Sequence, residues 1–118
     1  MTTATDIVQA QLDAYNAKDL DALLATFAPD AQQFALHGDC LARGHDQIRA
    51  RYAARFAEPD LQARLVARCA AGPVVVDHEL ITRNFPEGRG TLEMLCIYEV
   101  VDGLIARASY SAGVKRLD

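Results

Sequence analysis

The chain has 118 residues, of which 51% are hydrophobic and 24% charged. A chain of this length buries about two-thirds of its unfolded surface around one core, so we expect a single domain over residues 1–118. The formal net charge of −4 disfavours a nucleic-acid partner, because phosphate binding needs a concentrated excess of Lys and Arg. The sequence shows no targeting pattern and no apolar run of bilayer length, which predicts no membrane partner.

The three cysteines, Cys40, Cys69 and Cys96, are an odd number without disulfide or metal-binding spacing. Unpaired cysteines are typical of a reducing compartment, so the sequence predicts a cytoplasmic location. His37 and His45 flank Cys40, but their spacing matches no standard zinc pattern, and we expect no metal ion. We expect no cofactor either, because the glycine-containing loops lack the strand-to-helix context of phosphate binding.

The first predicted element is an amphipathic helix. Thr5 or Asp6 can cap its beginning, and its apolar stripe consists of Val8, Leu12 and Tyr15. We expect this stripe to pack against a sheet.

A second, shorter helix is predicted after Asp19, a good capping residue, and before Pro29, which a helix interior does not tolerate. Between them, apolar residues repeat with helical spacing at Leu20, Leu23, Leu24 and Phe27. A strand over about residues 32–36, a turn over 37–40 and a third helix over about 45–57 are predicted next.

From residue 61 onward apolar residues recur at every second position, which predicts four strands of an antiparallel meander. Asp102-Gly103 is a strong hairpin signal between the last two strands. We expect any pocket to lie between the helices and the more apolar face of each strand. That predicted face consists of Leu61, Ala63, Leu65, Ala67 and Cys69; Val74, Val76, His78 and Leu80; Leu92, Met94, Cys96, Tyr98 and Val100; and Leu104, Ala106, Ala108, Tyr110 and Ala112.

Residues 14–31, which read AYNAKDLDALLATFAPDA, and the order of elements after them resemble the nuclear transport factor 2-like superfamily, in particular its SnoaL-like and ketosteroid-isomerase-like branches. The resemblance spans nearly the whole chain. It implies an α+β fold in which a cone-shaped, curved antiparallel sheet is wrapped around three N-terminal helices. This fold carries isomerases, dehydratases, hydrolases, cyclases and non-catalytic binding modules, so it does not define an activity.

The opposite face of the predicted sheet contains an apolar band of Val66, Val75, Ile81, Leu95, Ile97 and Ile105. A band of this size exceeds the apolar patch that a monomer ordinarily exposes. We interpret it as the interface of a homodimer, which the resemblance also implies.

The resemblance implies specific site residues in ketosteroid isomerases: a tyrosine on the first helix, an aspartate base at the end of the first strand and a protonated aspartate on the fourth strand. The corresponding positions here are Gln11, Ala35 and Cys96. Because alanine cannot move a proton and a thiol is a poor donor, we expect standard ketosteroid isomerisation to be absent or very slow. Tyr15 could supply a phenol and Asp39 a base, although a core tyrosine and a turn aspartate are the more ordinary interpretations.

His78 is the candidate catalytic residue, because it alone interrupts the predicted apolar face of its strand with a group that titrates near neutrality. The alternative is a core histidine held by one hydrogen bond. The predicted ligand-binding residues are Tyr15, Phe34, Tyr52, Met94, Cys96, Tyr98 and Tyr110.

Other charged residues are interpreted as solvated. Asp77 and Glu79 share the face opposite to His78, where no apolar pocket would raise their pKa values. A basic cluster of Arg43, Arg49, Arg51 and Arg55 is interpreted as a solvent-exposed face. No inward aspartate is predicted for the strands, which weakens a comparison with epoxide hydrolases and dehydratases that use buried acid–base groups.

Three functions are therefore compatible with the sequence. The first is an isomerase- or lyase-type enzyme that transfers a proton on a small hydrophobic molecule, the second a pocket that binds such a molecule without turnover, and the third a dimerisation module.

Overall fold

The computed structural model describes residues 2–118. Its elements are α1 (Ala4–Ala17), α2 (Leu20–Ala25), β1 (Phe27–Ala35), β2 (Cys40–Arg43), α3 (Gly44–Phe56), β3 (Gln62–Ala71), β4 (Val74–Phe85), β5 (Gly88–Val101) and β6 (Leu104–Leu117). The three predicted helices and the four predicted C-terminal strands are all present.

Local chemistry sets the helix ends. Thr3, rather than Thr5 or Asp6, caps α1: its hydroxyl accepts from the Asp6 backbone at 3.1 Å, and the Asp6 carboxylate accepts from the Thr3 backbone at 3.0 Å. Asp19 caps α2 as predicted. That helix ends at Ala25, before Pro29, and β1 begins at once with Phe27.

The six strands form one sheet in the order β2-β1-β6-β5-β4-β3. Strands β3 to β6 are the predicted antiparallel meander. β1 joins this meander in parallel with β6, and the short strand β2, which the sequence did not predict, pairs with β1. The sheet curves around the three helices, so the predicted α+β cone is confirmed.

The predicted inner face is correct for β5 and wrong for β4. Val75 pairs with Tyr98 and Asp77 pairs with Cys96, so both β4 residues share the helix-facing side with those β5 residues. Val75, Asp77, Glu79 and Ile81 are accordingly the buried residues of β4. His78, predicted to point inward, lies on the outer face.

Irregularities in pairing change the face within two other strands. The register shifts between Leu65 and Ala67, so Arg68 faces inward opposite Asp77 while Cys69 is exposed. A second shift, beside Val100, brings Ile105 into the core. The predicted alternation is therefore correct for β3 only up to Leu65 and for β6 only from Ala108.

The predicted outer apolar band is therefore only half correct. Val75, Ile81 and Ile105 are buried beneath the helices. Val66 and Leu95 do lie outside, 44% and 41% exposed. Among residues 2–118, no helix combines the length and apolarity needed to cross a membrane.

Candidate functional site

A cavity lies between α1, α3 and the inner face of β4, β5 and β6. It is narrow and opens to solvent, and the space that the centre of a water molecule can occupy in it measures about 40 Å³. Its lining consists of Gln11, Leu12, Tyr15, Arg51, Tyr52, Arg55, Glu79, Ile81, Met94, Cys96, Tyr98 and Tyr110. Polar groups on an apolar, aromatic wall are typical of a small-molecule site.

The structure brings six of the seven predicted ligand-binding residues to this cavity: Tyr15, Tyr52, Met94, Cys96, Tyr98 and Tyr110. Phe34 is not among them. Its ring packs under the guanidinium of Arg107, 4.2 Å from the Arg107 carbon to the ring centre. Phe34 pairs with Ser109, two positions away from the outward-facing Arg107, and so belongs to the outer side of the sheet.

His78 does not reach the cavity. Its Nε2 lies 2.8 Å from Glu93 Oε2, in a partly exposed pair on the outer face of the sheet. The expectation that its imidazole points between helices and sheet is wrong. Pairing with β5 puts the neighbouring residues Asp77 and Glu79 on the inner face of β4, so His78 points outward. His78 is therefore not a residue of this cavity.

Glu79 occupies the position inside the cavity that was predicted for His78. The residue is 4% exposed, and its Oε2 has no hydrogen-bond partner within the described chain. Burial raises the pKa of Glu79 to about 7, and the nearby charge of Asp77 adds to this effect. A carboxyl group with this pKa exists in both protonation states near neutral pH, as a general acid or base requires.

Asp77 is also buried but is fully paired. Arg68 donates to its two carboxylate oxygens at 2.6 and 2.9 Å and to Gln9 of α1 at 2.8 Å. This ion pair ties the bulged part of β3 to β4 and to the first helix. Asp77 is the inward aspartate that the sequence did not predict, and of the two β4 carboxylates it is Glu79 that lines the cavity.

The signal for Glu79 was present in the sequence but ambiguous. Val75 and Ile81 flank Asp77 and Glu79 on one face of β4, while Val76 and Leu80 flank His78 on the other. With Val74 as a further apolar residue, the His78 face is the more apolar of the two, so alternation favoured the face that lies outside.

Tyr15 supplies a second unpartnered polar group. Its hydroxyl is buried without a hydrogen-bond partner in the described chain, and its ring packs edge-on against Tyr52 and Phe56. Burial raises the pKa of Tyr15 to about 12, although Arg55 opposes the shift. The phenol therefore stays protonated and can donate to a ligand oxygen.

Arg51 closes one end of the cavity. Its Nη1 donates to Gln33 Oε1 at 2.6 Å, and its guanidinium lies over the rings of Tyr52 and Tyr110 at 5.4 and 5.2 Å. Arg55, one turn later, also lines the cavity. These two residues of the predicted basic face are therefore only partly solvated.

The three positions compared with ketosteroid isomerases have other roles here. Gln11 accepts a hydrogen bond from the Tyr98 hydroxyl at 3.3 Å. Ala35 ends β1 with no ionisable group. Burial raises the pKa of the Cys96 thiol well above its ordinary value, so this cysteine stays protonated.

The fold and site define a class: an α+β cone with an acid- and phenol-lined cavity between helices and sheet. The profile of the SnoaL-like domain family matches residues 8–108, and the chain belongs to that family. No curated protein sequence matches it significantly.

Several solved structures are similar to this chain. A proposed polyketide cyclase from Sinorhizobium meliloti shares 30% identity, with 90% of this chain and 94% of that chain covered and a TM-score of 0.74. An uncharacterized cystatin-fold protein from Novosphingobium aromaticivorans shares 23% identity, with 94% and 99% covered and a TM-score of 0.87. An LEH-like epoxide hydrolase from M. tuberculosis shares 18% identity, with 93% and 82% covered and a TM-score of 0.80.

Proposed function

We propose that the protein is an isomerase- or lyase-type enzyme that binds a small hydrophobic molecule in this cavity and transfers a proton with Glu79. The observation that carries the proposal is the buried Glu79 carboxyl group, which has an unpartnered oxygen and a pKa of about 7 inside an aromatic cavity. Buried acid–base groups of this kind concentrate at functional sites.

The chemistry follows from two unpartnered groups. The Glu79 carboxylate can take a proton from a carbon next to a carbonyl group, and the carbonyl oxygen, as it gains negative charge, can accept a hydrogen bond from Tyr15. Return of the proton to another carbon is an isomerisation, and loss of a neighbouring leaving group is an elimination. General acid–base catalysis of this kind contributes about 10²–10⁴ in rate.

The test measures proton abstraction without knowledge of the natural substrate. In D₂O, NMR follows exchange of the α-protons of 2-tetralone, a small apolar ketone. We expect wild-type protein to accelerate exchange and Glu79→Gln to lose the acceleration. His78→Gln, a neighbouring change on the outer face of β4, is the matched control and should keep it.

A non-catalytic binding pocket is the alternative. Exchange that is equal in wild type and Glu79→Gln would contradict the catalytic proposal. Tetralone binding without any exchange would favour a ligand-binding module.

We further propose a homodimer formed through the outer sheet face. Leu95 and Val66 are exposed there, and Ile97 lies beside Leu95 on the neighbouring, partly buried part of β5. An apolar sheet face of this kind is stabilised by a partner surface.

The three free cysteines support a cytoplasmic location, since Cys40 and Cys69 are exposed thiols that an oxidising compartment would modify.

A further inference from the structure

We propose that the ligand of this cavity is an anion, specifically a small apolar or aromatic carboxylic acid whose carboxylate binds Arg51 and Arg55. The inference rests on the proposed function only in that the cavity binds a small apolar molecule, and it adds the chemical class of that molecule.

Arg51 is a largely buried cation without a counter-charge. Among residues 2–118, no Asp or Glu oxygen lies within 4.0 Å of its guanidinium nitrogens. Its side-chain partners are the neutral amide oxygen of Gln33, the Tyr52 hydroxyl at 3.5 Å and the two tyrosine rings. A desolvated guanidinium favours a carboxylate over these neutral partners, because charge-assisted hydrogen bonds are the stronger ones.

Arg55 adds a second cation that is incompletely neutralised. Its Nε lies 3.7 Å from Glu58 Oε2, beyond hydrogen-bond distance. Glu58 is already occupied, since Arg83 donates to both of its oxygens at 2.8 Å and the Asn84 backbone donates to one of them at 2.8 Å. One carboxylate thus faces two guanidiniums, those of Arg55 and Arg83.

Arg51 therefore has no carboxylate partner, and Arg55 and Arg83 share the single carboxylate of Glu58, in a chain whose formal net charge is −4. A partly desolvated excess of positive charge attracts an anion more strongly than the same charges in water. The planar fork of arginine fits a carboxylate. The aromatic wall of Tyr15, Tyr98 and Tyr110 suits an apolar body attached to it.

Isothermal titration calorimetry with 2-naphthoate and its neutral analogue 2-naphthamide tests this assignment. We expect wild-type protein to bind the naphthoate about tenfold more tightly than the amide, as one charge-assisted hydrogen bond would give. Arg51→Gln should abolish this preference. Arg49→Gln is the matched control, because Arg49 lies on the same helix, is half exposed and pairs with Asp21; it should retain the preference.

A preference for the amide, or an equal loss in the Arg49 and Arg51 variants, would overturn the proposal. If Arg51→Gln does not fold, NMR of the wild-type arginine Nε–H groups replaces it. Naphthoate should then shift the signal of Arg51 and leave that of Arg49 in place, and an unmoved Arg51 signal would equally overturn the proposal. The two proposals can fail separately. If tetralone exchange depends on Glu79 but the protein does not prefer naphthoate, only the assignment of an anionic ligand is wrong. If the protein prefers naphthoate but does not catalyse exchange, only the catalytic proposal is wrong.

Discussion

Asp77 and Glu79 lie two positions apart on β4 and face the same interior, yet they differ in electrostatic surroundings. Arg68 donates to both oxygens of Asp77, so the charge of that carboxylate is paired. Glu79 has an unpartnered oxygen and is further disfavoured as an ion by the charge of Asp77. Asp77 is therefore suited to holding β3 and β4 together, and Glu79 is suited to proton transfer.

Stability should depend on pH through Glu79. The pKa of Glu79 is about 7 in the folded protein against an ordinary 4.5. Between these values the folded state holds a proton that the unfolded chain has released, so the free energy of unfolding falls as the pH rises through this window. The full change is on the order of 3 kcal/mol. Urea unfolding of wild type and Glu79→Gln from about pH 5 to about pH 8 measures it, and the variant should be the more stable protein at the upper end.

The difference between the two proteins isolates Glu79, because their histidines and other carboxylates are the same. A difference that does not vary with pH would show that Glu79 is ionised normally.

Removing Arg68 should be strongly destabilising. Asp77 is fully buried, so Arg68→Ala leaves an uncompensated charge, which costs about 3–5 kcal/mol. Urea unfolding measures the loss, and Arg89→Ala, which breaks the exposed pair with Asp118, is the control with a change below about 1 kcal/mol. Adding Asp77→Asn to Arg68→Ala should recover part of the stability, and no recovery would contradict the electrostatic explanation.

At the scale of elements, irregular pairing decides which side chains of β3 point inward. The shift between Leu65 and Ala67 turns Arg68 inward, and without it the strand would present Ala67 and Cys69 to the helices. In a regular strand successive residues point to opposite faces, whereas one extra residue exchanges the faces of all residues after it. The Arg68–Asp77 ion pair therefore depends on the bulge.

Close approach of β5 and β6 at their far end requires Gly90. A Cβ added there would collide with the backbone oxygen of Arg116 and lie 3.0 Å from the Leu117 Cα. Because backbone atoms cannot move aside cheaply, Gly90→Ala should lower the free energy of unfolding by about 1–3 kcal/mol. Gly113→Ala is the comparison, since its added Cβ meets the Glu93 side chain, which can rotate away. Equal losses in urea unfolding would contradict this distinction.

At the scale of the whole molecule, the outer sheet face is the surface that a second copy would cover. We expect wild-type protein to be a dimer at micromolar concentration in light scattering, and Ile97→Asp to be a monomer or an aggregate, because a carboxylate would be desolvated in the interface. Val101→Asp, at an exposed position near the β5–β6 turn, should remain dimeric. A stable wild-type monomer would exclude the proposed interface.

Periodicity and turn chemistry determined the architecture. Asp19, Pro29 and Asp102-Gly103 act within a few residues of themselves, so the sequence alone located two helices before a sheet and a hairpin at its end. The cavity's aromatic residues were also predictable, because Tyr15 and Tyr98 belong to stripes whose other members are apolar.

Only the tertiary structure decided the chemistry of the cavity. The face of β4 that contains His78 is the more apolar one in sequence, but pairing with β5 selects the other as the inner face, because it puts Asp77 opposite Cys96 and Glu79 opposite Met94. The predicted catalytic residue, His78, therefore lies outside, and Glu79 lies inside with a raised pKa. Arg51 likewise changed from a surface charge to a cavity charge because Tyr110, 59 positions later in the chain, folds against it. Strand register and long-range packing depend on residues distant in the chain, and local alternation contains no information about them.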